Sequence, residues 1–295
     1  SRPHIAEIAE QLLDDLPDPR ELDVVRDIAI PLPVIVIAEV LGVPLSDRDS
    51  FKAWSTDVAN SLGGPFQPQD VLERARQSSN EIADYFREQI AERRRQPRED
   101  LISALCAAEE QGDLLSEDEL IATLILLLIA GNETTTNLIG NGMLALLSHP
   151  DERRRLQADP ALIETAVDEM LRYEGSVQLT SRIVDHDFEF RGQRFEEGQV
   201  VLLLLGAANR DPEQFPNPDR FNVARRPNRH LAFGQGIHYC LGAPLAVAEA
   251  QVAFQTLLRR LPEPEAEFEA PEWGQSFILR GLKHLPVRSS VVVGR

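Results

Sequence analysis

"AFGQGIHYCLGAPLA", residues 232–246, sets two glycines close together, then one of the chain's two cysteines, then an apolar run at helical spacing. A cysteine that only fills a core needs no such setting, since it behaves there as a small hydrophobe. Gly234-Gln235-Gly236 fails as the start of a dinucleotide fingerprint, because the third glycine would fall at Tyr239 and no βαβ unit surrounds the stretch. A phosphate loop fails as well, as no Gly-Lys-Ser/Thr follows. As a protease-type nucleophile, Cys240 would have His238 nearby but no identifiable asparagine or aspartate partner. Glycines let a backbone turn closely against something flat. A thiolate at the start of a helix is stabilised by the helix dipole and by free amides, here those around Leu241 and Gly242. Core packing and a ligand role both stay open for Cys240 taken alone.

Around that stretch, the composition narrows the classes. With 295 residues and 43% apolar content, the chain can bury a sizeable core, roughly 75% of its unfolded surface. Cys106 and Cys240 cannot form a disulfide framework, and the absence of C-x-x-C spacing removes the usual structural zinc sites, which points to a reducing cytoplasmic compartment. A net charge of -18 excludes a nucleic-acid-binding surface, which needs a basic face. No signal peptide opens the sequence, and the longest apolar run, Leu120 to Gly131, is shorter than a membrane span needs. The expectation is a soluble protein with neither nucleic acid nor membrane as partner. Of 30 basic residues only Lys52 and Lys283 are lysines.

Along the chain, apolar residues recur at helical spacing from Pro3 to Leu147, with breaks at Pro31 to Pro33, Gly63 to Pro68 and Pro97, so this half needs no sheet. Ser116 and Glu119 predict a capping box at the start of a long central helix that runs toward His149 and is apolar enough to be covered all round. A second helix is framed by Asp159, Pro160 and Gly175. The period then changes to short alternating runs about Arg191-Gly192 and Glu197-Gly198, which predicts small antiparallel hairpins. The segment ahead of the cysteine is rich in proline and arginine, and it is too long to be structureless without a job. One more helix runs to about Arg260, followed by terminal strands. No repeat, low-complexity tract or domain linker interrupts the chain.

Phe233-Gly234-x-Gly236-x-His238-x-Cys240-x-Gly242, followed by Ala243 and Leu245-Ala246, resembles the haem-binding signature of the cytochrome P450 family. Val247 departs from it, where many bacterial members carry arginine. The resemblance covers the whole chain and implies a mainly α fold with a small antiparallel β part. It would be one domain with a helical region about 1–174, a β region about 176–206, the haem-ligand loop about 207–242, and a C-terminal helix and strands 243–295. It implies haem b with Cys240 as the axial thiolate ligand, Phe233 packed near the sulfur, Gly234 and Gly242 against the haem, and His238 and Arg182 on the propionates.

Three further constellations gain meaning beside this signature. Leu127, Ala130/Gly131 and Thr134 share one face of the long helix. Alone, "AGNETT" reads as close helix packing, with Thr134 bonded back to the carbonyl of residue 130 and Glu133 solvated or paired. By the resemblance, Ala130 and Gly131 make room for O2, the Thr134 hydroxyl bends the helix locally and holds a proton network, and Glu133 relays protons. Glu169 and Arg172 are an i,i+3 pair, completed by the resemblance with Arg220 of Pro218-Asp219-Arg220-Phe221 into a structural triad that locks the cysteine loop. The runs Arg93 to Arg95 and Arg153 to Arg155 read as solvated helix faces, whereas Arg225, Arg226 and Arg229 offer a docking face for an acidic electron carrier.

The implied reaction inserts one atom of O2 into an organic substrate, with electrons from NAD(P)H through ferredoxin reductase and ferredoxin. Leu127, Ala130, Val177, Leu179, Phe277, Ile278 and Leu279 are the candidate pocket, all small or apolar, which implies a hydrophobic small molecule. The alternatives are a noncatalytic haem-binding sensor, which would keep Cys240 and Arg182 and have no use for Glu133 and Thr134, and an inactive fragment of the family fold. The opening residues Ser1 to Leu16 resemble the segment just after the family's helix C, and the chain does not begin with methionine. The resemblance therefore implies an N-terminally truncated form of the fold, haem-poor when expressed alone.

Overall fold

The computed structural model describes residues 1–62, 67–110 and 116–294, so of the break expected at Gly63 to Pro68, residues 63–66 lie outside the described residues. The elements in chain order are α1 (Arg2–Asp14), β1 (Glu21–Asp23), α2 (Pro31–Leu41), α3 (Arg48–Asn60), α4 (Gln69–Arg95), α5 (Leu101–Glu110), α6 (Glu117–Ser148), α7 (Pro150–Ala158) and α8 (Ile163–Tyr173). There follow β2 (Thr180–Ile183), β3 (Phe188–Phe190), β4 (Gln193–Phe195), β5 (Val200–Leu203), α9 (Leu205–Ala208), α10 (Ala243–Arg260), β6 (Pro264–Ala266) and β7 (Pro286–Ser289).

α6 starts as its sequence dictates. The Ser116 hydroxyl accepts from Glu119 N, and the Glu119 carboxylate accepts from Ser116 N at 2.8 Å, so two otherwise orphaned amides are satisfied reciprocally. The helix then serves two cores. Its first half gives Leu120, Ile121, Leu124 and Leu128 to a cluster with Phe51 of α3 and Ile82, Phe86 and Ile90 of α4. Its second half gives Leu138, Ile139, Met143 and Leu146 to a larger cluster with α1, α8 and α10. By length and composition alone α6 is apolar enough to cross a membrane, yet it packs against α2, α3, α4, α8 and α10.

The expectation that α6 is covered all round does not hold. Ala122, Leu126 and Ala130, one turn apart from each other, are exposed, Leu126 by 63%.

The first half also holds a strand that apolar periodicity passes over. β1 pairs antiparallel with β7, which pairs in turn with β6. Three residues are too few to display an alternating pattern, and the pairing is made with the far end of the chain. The hairpins around residue 190 form two separate ladders, β3–β4 and β2–β5, rather than one sheet. Arg191 and Gly192, at φ 51° and 77°, make the tight turn between β3 and β4. Asp159 caps a short 3-10 turn, Pro160–Leu162, that leads into α8. Arg93 is not solvated. It is buried, donating to Asp100 at 2.6 Å and to the carbonyl of Gly42, so it ties the end of α4 to the end of α2.

Candidate functional site

The cysteine loop is shaped by its glycines. Gly234 and Gly236 sit at φ 69° and 64°, a region that side chains with a Cβ rarely adopt. At Gly234 a Cβ would also lie 3.0 Å from the carbonyl of His238. The loop closes on itself, with Cys240 N donating to Phe233 O at 2.9 Å and Tyr239 N to Gly236 O at 3.1 Å. Ala243 N then donates to Cys240 O, and α10 begins. The thiol of Cys240 is therefore a partly exposed group held one turn ahead of a helix N-terminus. Its flanking apolar side chains face outward: Ile237 is 97% and Leu241 87% exposed. Phe233 is half-buried against the larger core and meets Tyr239 edge-on at 6.4 Å.

These features fit haem. Among the described residues no three His, Cys, Asp or Glu side chains are grouped to hold a metal ion, so the chain builds no metal cage of its own around Cys240, and a cofactor whose iron arrives already ligated suits this thiol. Exposed apolar side chains beside the sulfur suit a flat macrocycle. Arg182 on β2 bonds Ser181 O at 2.7 Å and the Thr180 hydroxyl at 3.4 Å, and meets no carboxylate among the described residues. The exposed His238 side chain makes no hydrogen bond among the described residues. Both remain open to an anionic group. Gly242, in contrast, adopts an ordinary helical φ of -80°, and a Cβ there would lie 3.9 Å from the Cys240 sulfur, an ordinary contact.

On α6, Thr134 donates its hydroxyl to Ala130 O at 2.8 Å, and the helix continues unbroken through this bond. Gly131 packs on Ile37 of α2, where a Cβ would lie 3.3 Å from the side chain. Glu133 is turned toward α3: its Oε1 accepts from Lys52 Nζ at 2.6 Å and from the Thr56 hydroxyl at 2.9 Å. Nothing in the sequence points to Thr56, which lies 77 positions from Glu133 along the chain. For Lys52, rarity was a signal, as it is one of only two lysines.

The structure corrects the triad. Glu169, fully buried, is held by Arg172 through Nε and Nη2 at 2.7 and 2.9 Å. Its second guanidinium is that of Arg225, whose Nε lies 3.1 and 3.0 Å from the two carboxylate oxygens. Arg220 is exposed and contributes only its carbonyl, which accepts from both Arg172 and Arg225. The reason is the path of the loop: Asn222 N donates to Glu169 Oε1 at 2.9 Å, which turns the following residues inward and leaves Arg220 outside. The same burial removes Arg225 from the basic docking face, while Arg226 and Arg229 stay exposed.

Four of the candidate pocket residues are brought together. Val177 bridges Leu279 antiparallel, with Gln178 N donating to Ile278 O at 2.8 Å and Arg280 N to Ser176 O at 2.7 Å, so the segment carrying Val177 and Leu179 runs beside the one carrying Ile278 and Leu279. Phe277, at the edge of this ladder, is exposed. Leu127 and Ala130 stand apart, on the open side of α6.

Comparison with known proteins agrees with this geometry. A family model described as Cytochrome P450 matches residues 65–263. Polyketide biosynthesis cytochrome P450 PksS of Bacillus subtilis is 44% identical over 293 residues, covering 98% of this chain and 71% of that protein. Cytochrome P450 monooxygenase PikC of Streptomyces venezuelae is 43% identical, covering 97% of this chain and 68% of that protein. Among solved structures, P450BioI in complex with acyl carrier protein ligated to hexadec-9Z-enoic acid superposes with a TM-score of 0.92 at 42% identity, covering 97% of this chain and 73% of that one.

Proposed function

Because the chain belongs to the cytochrome P450 family, we propose that it is a soluble, cytoplasmic haem-thiolate monooxygenase that takes a hydrophobic small molecule and draws electrons from a ferredoxin-type partner. The observation that carries this reading is the Cys240 loop, in which two left-handed glycines present a thiol ahead of α10 between outward-facing apolar side chains.

Haem bound through the Cys240 thiolate supplies the activation of O2 that the protein's own side chains cannot. The amides at the start of α10 favour negative charge on the sulfur. Arg182 and His238, both without acidic partners among the described residues, are the side chains that would hold the haem propionates by charge-assisted hydrogen bonds. The small, exposed Ala130 would leave room for O2 beside a bound haem, whereas the space at Gly131 is taken by Ile37 of α2. The Thr134 hydroxyl donates to Ala130 O and keeps lone pairs free to accept a hydrogen bond from a water in the pocket. Glu133, fixed between Lys52 and Thr56, stands next to it in the chain and takes up protons from the α3 side. Glu169, Arg172 and Arg225 hold the loop that leads to Cys240 and do no chemistry.

Val177, Leu179, Ile278 and Leu279 are apolar, which suits a hydrophobic substrate. The related P450BioI holds a long acyl chain on a carrier protein, and an acyl chain is one ligand such a wall would accept. Exposed Arg226 and Arg229, a few residues ahead of the cysteine loop, offer positive charge to an acidic ferredoxin on a chain that is otherwise strongly acidic.

The reduced, CO-treated, haem-loaded protein tests the assignment. The strongly red-shifted Soret band of a thiolate ligand is expected for the native chain and for Cys106→Ser, and its loss for Cys240→Ser. Equal spectra for the two variants would remove Cys240 as ligand.

A further inference from the structure

Segments 176–179 and 278–280 pair through a single bridge made by two backbone hydrogen bonds, and belong to none of the named strands. So short a ladder cannot set its own position. One side is anchored because residue 179 runs into β2 and Gln178 O accepts from Gly206 N at 3.0 Å, and two features of α6 hold the base. Asn141, fully buried, donates through Nδ2 to Glu174 O at 3.2 Å and to Arg280 O at 2.9 Å, so that one amide holds the base of both segments. Its Oδ1 has no partner among the described residues. A buried amide that leaves its oxygen unpaired is costly, so the side chain is oriented for its donor. One turn earlier, Asn137 packs against Gly281 so closely that a Cβ there would lie 1.8 Å from Asn137 Oδ1. Leu127, Ala130, Thr134, Asn137 and Asn141 recur every three or four residues and so form one stripe along α6.

We propose that Asn141 is a specificity-determining positioning residue: from α6 it fixes where the Val177–Leu279 wall stands relative to Ala130 and Thr134, and so the shape of the space a substrate enters. The proposal rests on the reading of that wall as part of the substrate pocket. Glu174 and Arg280 are also joined by an ion pair, and the Arg280 guanidinium lies 3.5 Å from the centre of the Trp273 ring. That pair is partly exposed and ties the two segments to each other, whereas Asn141 ties both to α6.

The test uses the haem-loaded protein and two nitrogen ligands for its iron, imidazole and econazole. Imidazole is too small to reach a wall; econazole fills a pocket. Asn141→Ala is expected to weaken econazole about tenfold, the equivalent of one or two hydrogen bonds, with imidazole affinity and the CO band unchanged. Gly281→Ala, which pushes the same wall from Asn137, is expected to shift the ratio of the two affinities in the same direction and decides the matter alone if Asn141→Ala fails to hold haem. Gly42→Ala, at the end of α2 where φ is 83° and a Cβ would lie 2.3 Å from Asp100, lowers stability away from the wall and leaves the ratio alone, so a general loss of stability is separated from movement of the wall. Val177→Phe tests the wall itself. A ratio that moves in Val177→Phe and stays fixed in both Asn141→Ala and Gly281→Ala overturns the proposal and keeps the pocket. A ratio fixed in all of them removes the pocket reading and the proposal with it.

Discussion

Glu249 lies in the middle of α10, 2% exposed, with its Oε2 unpartnered among the described residues. Burial raises its carboxyl from an ordinary 4.5 to about 8, so the folded protein keeps a proton that the unfolded chain gives up. The folded state binds more protons between those two values, and stability therefore falls as pH rises from about 4.5 to about 8 and is level outside that window. The slope is about 1.4 kcal/mol per pH unit. Glu249→Gln keeps the shape and removes the titration. The stability gained by the variant over the native protein should be about 3 kcal/mol larger at pH 7.5 than at pH 5. Urea unfolding followed by far-UV circular dichroism reads this directly, since with a slope near 3 kcal/mol per molar it moves the midpoint by about 1 M. Taking the difference between the two proteins at each pH cancels the titration of every other group. A difference that stays constant from pH 5 to pH 8 would refute the reasoning and show that Glu249 is ionised and satisfied inside the fold.

Other outcomes follow from the same kind of contact. Arg225→Ala strips a buried carboxylate of one of its two guanidinium partners and should cost about 3–5 kcal/mol, while Arg220→Ala, an exposed side chain, should stay within about 0.5 kcal/mol; denaturant midpoints separate them. Gly142→Ala would place a Cβ 2.5 Å from Phe254 Cζ and 2.8 Å from Met170 Sδ, an overpacking expected to cost about 1–3 kcal/mol by the same assay. Lys52→Met and Thr56→Val each remove a donor from Glu133 and should slow turnover about tenfold with a larger solvent deuterium isotope effect, leaving econazole affinity unchanged. An unchanged isotope effect in both variants would show that Glu133 is not on the proton route.

What the sequence discloses depends on how far apart the determinants lie. The cysteine loop, the Ser116–Glu119 capping box and the Arg191-Gly192 turn are all legible, because each is decided within a few residues by glycine conformation or a local hydrogen bond. The choice between Arg220 and Arg225 is not, since both stand in one arginine-rich segment and only the loop's path decides which turns inward. Lys52 meets Glu133 from 81 positions away, and Asn141 reaches Arg280 across 139. No window of sequence contains both partners. The open stripe at Ala122, Leu126 and Ala130 is hidden for another reason: apolar side chains read as core whether a neighbouring helix or a bound group covers them.

The arrangement around Glu169 reverses the usual relation between a loop and its side chains. Arg172 donates to the carbonyls of Asn209, Pro218 and Arg220, and Arg225 to those of Pro216, Asn217 and Arg220. The segment from 209 to 220 is thus wound onto two guanidinium groups through its peptide oxygens, and every residue type has such an oxygen. The exposed side chains along this stretch are the interchangeable ones: Asn209 and Phe215 are buried, Asn209 accepting from Leu231 N and Phe215 lying under Arg172, Arg210 donates to Tyr173 O, and Asn217 has a φ of 51° that restricts the choice. The length of the stretch is not free to vary. One residue inserted or deleted moves each carbonyl off its donor at once, so the exposed positions of this stretch should drift in spelling while the count of residues is kept strictly.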